Sequence, residues 1–191
     1  AEQGDAKAQY SLGNLYNAGR GVTKDYKEAA KWYHLSAKQG YAPAQNELGD
    51  MFYNGDGVNQ NYKEALKWYR LAADQGIARA QFSVGIFYDL GKGGIAEDDK
   101  EAAQWYQLSA QQGFSPAQYL LADLYYNGLG VPQNYPEAFK WYLSAAEQGH
   151  DNAQNELAEM YYDGIGVKQD YQQALKWYKS AADQGLAEAQ Y

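Results

Sequence analysis

The sequence predicts an all-α solenoid, five helical hairpins in series with partial units at both ends. Three observations predict it. The first is a block at residues 61–76, NYKEALKWYRLAADQG, that returns at Asp25, Asp98, Asn134 and Asp170. The period is 36 residues, with one extra residue in the third unit. A block at fixed period means one folding unit used repeatedly. The second is the helix grammar inside the block. The third is a separate apolar stripe of helical period between successive blocks. Units run over residues 5–40, 41–76, 77–113, 114–149 and 150–185, and residues 1–191 read as a single solenoid.

The first helix of a unit comes from that stripe. In the second copy it covers roughly 43–54, where Ala44, Leu48, Met51 and Phe52 fall on one face. Gly13, Gly49, Gly85, Ala122 and Ala158 share one position in it. A mid-helix glycine costs about 1 kcal/mol of propensity, so a close neighbour is expected there. Gln9, Gln45, Gln81, Gln118, Gln154 and Gln190 also share one position. They read as buried amides bonded to the backbone of an adjacent loop, where polar groups need partners.

A Gly-x-Gly-Val turn follows, Gly55-Asp56-Gly57-Val58 in the second copy, with glycine supplying positive φ. The third unit departs from it as Gly91-Lys92-Gly93-Gly94-Ile95, and a longer, more mobile turn is expected. The second helix is the repeated block. Asp or Asn opens each copy as an N-cap. Glu28, Glu64, Glu101, Glu137 and Gln173 stand three residues on, as in a capping box. Gly76 and its equivalents close the helix in the left-handed conformation.

Ala44, Leu48-Gly49, Phe52, Gly55, Gly57-Val58, Tyr62, Ala65, Trp68-Tyr69, Ala72-Ala73 and Gly76 together resemble the Sel-one-like repeat, a relative of the tetratricopeptide repeat. The resemblance covers essentially the whole chain in five copies. It implies a right-handed superhelix of antiparallel helix pairs whose first helices line a concave face. It also implies an adaptor or scaffold for other proteins. Some relatives carry disulfides between helices. This chain has no cysteine, so nothing tied to those bridges carries over.

Composition narrows the function. The formal charge is −8 with no Lys/Arg cluster, which argues against nucleic acid, whose phosphates need a basic face. No apolar run approaches the roughly 20 residues of a membrane span. Without cysteine there is no thiol catalysis and no zinc–thiolate site. The pattern looks bacterial, but cytoplasm and exported compartments are not distinguished. The opening AEQG matches residues 146–149, and the closing LAEAQY matches the start of a first helix. The sequence therefore reads as a piece of a longer array. Solenoids need polar terminal caps, and none is evident, so an exposed apolar face beyond Tyr178 and Ala182 and end-to-end self-association are expected.

No catalytic, cofactor or metal residue is proposed. His34 falls at a variable, solvated position, and His150 reads as a loop anchor. The Gly-x-Gly turns recur in every unit and lack the strand–turn–helix setting of phosphate loops. Asn54-Gly55-Asp56-Gly57 lacks the Glu of a calcium loop. The five Trp share one position and read as packing residues.

What varies is the first-helix face opposite the buried stripe. Its candidate partner-binding residues are Tyr10 and Asn14; Asn46, Asp50 and Tyr53; Phe82 and Ile86; Tyr119, Asp123 and Tyr126; and Asn155, Glu159 and Tyr162. Phe82 and Ile86 are expected to be exposed, and exposed apolar and aromatic residues mark contact surfaces. The reading is a non-enzymatic scaffold that binds a peptide or protein segment, with basic residues on the partner favoured. The alternative is a cell-envelope glycan or peptidoglycan binder, with tyrosine platforms beside carboxylates.

Overall fold

A computed structural model of the chain describes residues 4–183, which form ten α-helices and no strand among the described residues. In order they are α1 (Ala6–Ala18), α2 (Tyr26–Lys38), α3 (Ala42–Asn54), α4 (Tyr62–Ala73), α5 (Ala78–Asp89), α6 (Asp99–Gln111), α7 (Ser115–Asn127), α8 (Tyr135–Glu147), α9 (Asp151–Asp163) and α10 (Tyr171–Asp183). The architecture is an all-α repeat solenoid. Two compact units divide between Glu97 and Asp98. In the first, α1 through α4 each pack on the next helix in the chain, and in the second α6 through α9 do the same. A helix of 13 residues spans about 20 Å at 1.5 Å per residue.

The second helices begin as their sequence dictates, with one change. Asp25 Oδ1 accepts from the backbone N–H of Lys27 and Glu28, and Asn61 Oδ1 from Glu64. The reciprocal half of the capping box is replaced. The N–H of Asp25 donates instead to Tyr16 O, and that of Asn61 to Phe52 O at 2.8 Å. Asn134 and Asp170 make the same bond back to Tyr125 and Tyr161. Each cap thus ties the two helices of a hairpin together. The glutamates so released pair with Lys67 and Lys140 one turn on.

Two glycine positions decide the packing. At Gly49, an added Cβ would lie 2.6 Å from the Tyr69 ring, and Gly13 meets Tyr33 in the same way. This is the close approach that a mid-helix glycine implied. Gly57, with φ +69, would place its Cβ 2.2 Å from Tyr26 O. The second glycine of that turn therefore presses on the first turn of the preceding second helix. Gly130 and Gly166 do the same against Asp99 and Tyr135. The third turn is the longer one, running from Leu90 to Asp98 between α5 and α6.

The glutamines form a relay. Gln45 is 4% exposed. Its Nε2 donates to Ala37 O at 3.2 Å, in the last turn of the preceding hairpin. Its Oε1 accepts from Gln75 Nε2 at 2.7 Å, just past the end of its own hairpin. Gln118 repeats both bonds, to Ala110 O and from Gln148. The donor half recurs at Gln81 and Gln154. Gln190 and both outermost segments, 1–3 and 184–191, lie outside the described residues. Tyr178 and Ala182 are half-buried, and the apolar face expected beyond them lies outside the described residues.

Candidate functional site

The candidate row lies on the first helices, and its members differ in what holds them. Asn46 and Asn155 are 4% and 6% exposed, which corrects the expectation that they face solvent. The cause is that α3 packs on both α2 and α4, and α9 on both α8 and α10. A first helix buried from two sides keeps little of the face opposite its stripe. Phe82 and Ile86 are likewise half-buried, not exposed.

The polar positions of the row are partly committed to the fold. The Tyr33 hydroxyl donates to Asn14 Oδ1 at 2.7 Å, and the Tyr69 hydroxyl to Asp50 Oδ1 at 2.6 Å. Tyr142 donates to Asp123 Oδ1 in the same way. All three tyrosine rings are essentially inaccessible. Burial raises each phenol above its ordinary value, and Asp50 and Asp123 add to the effect at Tyr69 and Tyr142. The phenols stay protonated and remain donors.

Around Asp50 a small charged cluster forms that the sequence did not flag. Arg79 Nη2 lies 2.8 Å from Asp50 Oδ2, off the line of a hydrogen bond, and Nη1 is 3.9 Å from Glu47 Oε1. Burial raises both carboxyls, and at Glu47 the neighbouring Asp50 raises it further. Arg79 opposes both shifts.

The aromatic positions fall into two patterns. Tyr10 and Tyr119 reach the next hairpin. Tyr10 meets Tyr41 edge-on at 5.3 Å, and Tyr119 stacks on His150 at 4.6 Å. His150 is thus the anchor that its position implied. Its Nδ1 also accepts the Ala153 N–H at the start of α9. Burial lowers its pKa, with Asp151 opposing, so the ring is a neutral acceptor. His34 is half-buried, its ring edge-to-face with that of Trp68 at 5.6 Å.

The second pattern pairs the last tyrosine of a first helix with the first tyrosine of the second helix. Tyr53 and Tyr62 lie 5.3 Å apart, Tyr126 and Tyr135 5.1 Å, Tyr162 and Tyr171 5.3 Å. The first pair is occupied by the chain itself. Lys92 Nζ sits 5.4 Å and 5.6 Å from its two ring centroids and donates to the Tyr53 hydroxyl at 3.2 Å. In the last repeat Tyr162 is 53% and Tyr171 58% exposed; the position equivalent to Lys92, 39 residues beyond Tyr162, lies outside the described residues. Glu159 and Asp163 flank this last pair, both exposed. Charge follows the same division. Residues 1–97 hold 11 basic and 11 acidic residues, whereas 98–191 hold 5 and 13, so the formal −8 falls in the second unit.

No group of histidines or carboxylates among the described residues is arranged to hold a metal ion. No helix among them is long and apolar enough to cross a membrane.

Comparison with known proteins adds the following. Residues 6–41, 42–77, 78–114, 115–150 and 151–186 each match the model of the Sel1 repeat. A Sel1 repeat protein from Oxalobacter formigenes is similar in structure, with a TM-score of 0.89 and 36% identity over 97% of this chain and 76% of that one. The c5321 protein, a protective antigen of uropathogenic Escherichia coli strains with an SLR fold, is also similar. Its TM-score is 0.76 at 36% identity, covering 100% of this chain and 48% of that one. Immunity protein Pa5087 from Pseudomonas aeruginosa shares the fold, with a TM-score of 0.58 and 23% identity over 95% of this chain and 69% of that one. No curated protein matches.

Proposed function

The chain belongs to the Sel1 repeat family, whose members are in general non-catalytic scaffolds for protein interactions, and from that premise we propose that it binds a lysine- or arginine-bearing protein segment on the first-helix side of its second unit. One observation carries the reading. Tyr53 and Tyr62 hold the chain's own Lys92. Tyr162 and Tyr171 repeat the same 5.3 Å ring pair. A cation over an aromatic face contributes about 0.5–1 kcal/mol when exposed and about 2 when desolvated. Glu159 and Asp163 beside the pair supply the charge that would draw in and orient such a cation. Tyr126 on α7 lies within the same field, because Glu156, Glu159 and Asp163 all raise its phenol after burial does.

The test is a titration of the chain with a fluorescent lysine-rich peptide, a charge-reversed copy and soluble peptidoglycan fragments. The lysine peptide is expected to bind, more weakly as salt rises. Changing Tyr162→Ala and Tyr171→Ala together should weaken it about tenfold, in line with loss of an aromatic contact. Binding of the fragments in place of the peptide would favour a glycan ligand. Peptide affinity indifferent to both substitutions would defeat the placement.

A further inference from the structure

A second surface, of opposite character, lies in the first unit. Between α2 and α3 runs an open groove of about 370 Å³. Its floor is apolar, made by Ala30, Leu48, Phe52 and Val58. Its rim is cationic or neutral, made by Lys27, Lys31 and His34. Lys38 and Lys67 stand near enough to His34 to oppose its protonation. Glu28 pairs with Lys31 of the rim and Glu64 with Lys67, and Asp25 lies close enough to act on Lys31 as well, which leaves Lys27 as the rim lysine outside these ion pairs.

The groove exists because of one residue. At the repeat position of Ala30, Leu66 is 5% exposed and fills its own site. Phe139, at the same position, packs edge-on against Tyr161 at 5.2 Å. Ala103 is also small, but Gln104 and Gln107 stand where Lys31 and His34 stand here. Leu175, the fifth member of the position, is large and 49% exposed, so only at Ala30 do a missing side chain and a cationic rim coincide among the five.

We infer that this groove docks a protein segment presenting one aliphatic or aromatic side chain next to carboxylates. The apolar floor takes the side chain that Phe139 supplies elsewhere. The lysine ammonium groups meet the acids on either side of it. Charge complementarity selects this occupant over the basic segment expected at the second unit, because like charges at the rim would be repelled. The scaffold then carries two recognition surfaces that do not compete for one partner.

The experiment is fluorescence anisotropy on the whole chain with a labelled acidic peptide centred on Leu-Phe. Three comparison ligands accompany it: the peptide with Ala-Ala at its centre, the peptide with lysines replacing its acids, and decanoate. Saturable binding of the first, lost with either changed peptide, is expected. Ala30→Phe, which copies the residue already tolerated at 139, should weaken binding at least about tenfold, the scale of a filled anchor pocket. Lys27→Glu with Lys31→Glu alters two exposed residues, so folding is not at risk, and should weaken it comparably. Binding that survives both variants overturns the inference. So does equal binding of the lysine peptide, or binding of decanoate with none of the acidic peptide.

Discussion

The Tyr69 hydroxyl donates to Asp50 Oδ1 at 2.6 Å, joining the two helices of one hairpin across 19 residues of sequence. Asn14 accepts from Tyr33 in the equivalent bond, so the link needs an acceptor and not a charge. Asp50→Asn should therefore change stability by less than about 0.5 kcal/mol, whereas Asp50→Leu should cost about 1–3 kcal/mol by orphaning a buried phenol. The sign with pH follows from burial. A carboxyl raised in the fold contributes stability fully below its unfolded value and loses it as pH rises through the folded one. Asp50→Asn should accordingly remove part of the stability lost on going from pH 4 to neutrality, as read from urea midpoints.

Gly57 and Gly76 both have positive φ, +69 and +86, but only the first is crowded. A Cβ at Gly57 would collide with Tyr26 O, and one at Gly76 would meet nothing within 4 Å. Gly76→Ala is expected to cost about 1 kcal/mol, the strain of the left-handed conformation alone. Gly57→Ala should cost at least about 3 kcal/mol, because backbone must move as well. Paired denaturation curves of the two variants check this difference.

Gln45 is the central member of its relay. Gln45→Leu keeps the volume but removes one hydrogen bond from Ala37 O, which keeps the Gly40 N–H, and one from the exposed Gln75 amide, which keeps Leu71 O. A loss of about 0.5–1.5 kcal/mol is expected, the net worth of such a hydrogen bond. The same change at exposed Gln107 should be silent within about 0.5 kcal/mol. Thermal melts of the two proteins make the comparison.

His150 carries a second pH signature. Its pKa lies below the ordinary value because burial disfavours the imidazolium. A histidine depressed in the fold contributes stability above its unfolded pKa and loses it as pH falls through the folded one. Replacing His150→Phe, the residue found at the equivalent Phe114, should flatten the stability profile between pH 7 and pH 5. Proton resonances of the ring, followed against pH, would locate the midpoint directly.

The repeat made the fold legible. Period, caps, closing glycines and the Gln45 position all have one physical meaning each, and five copies agree on it. The candidate row was less legible because it rested on a helix with a single buried face. α3 buries Asn46 as well as Ala44, Gln45 and Leu48, since neighbours cover it from two directions. Asn14, Asp50 and Asp123 looked variable in type, yet each can accept a hydrogen bond, and a tyrosine stands 19 residues beyond each. That constant interval was the available signal. The seat of Lys92 on Tyr53 and Tyr62 had none, because it joins residues 39 apart through the one irregular turn.

The glutamine relay sets how much chain must melt together. Ala37 in one hairpin is bonded by an amide that the next hairpin owns, and that amide is itself gripped by Gln75 farther along. Peeling away a single hairpin would break its share of this relay at the joint with its neighbour. The smallest stretch that can let go cleanly is accordingly longer than the genetic period, and neighbouring repeats should lose their protected amides in concert.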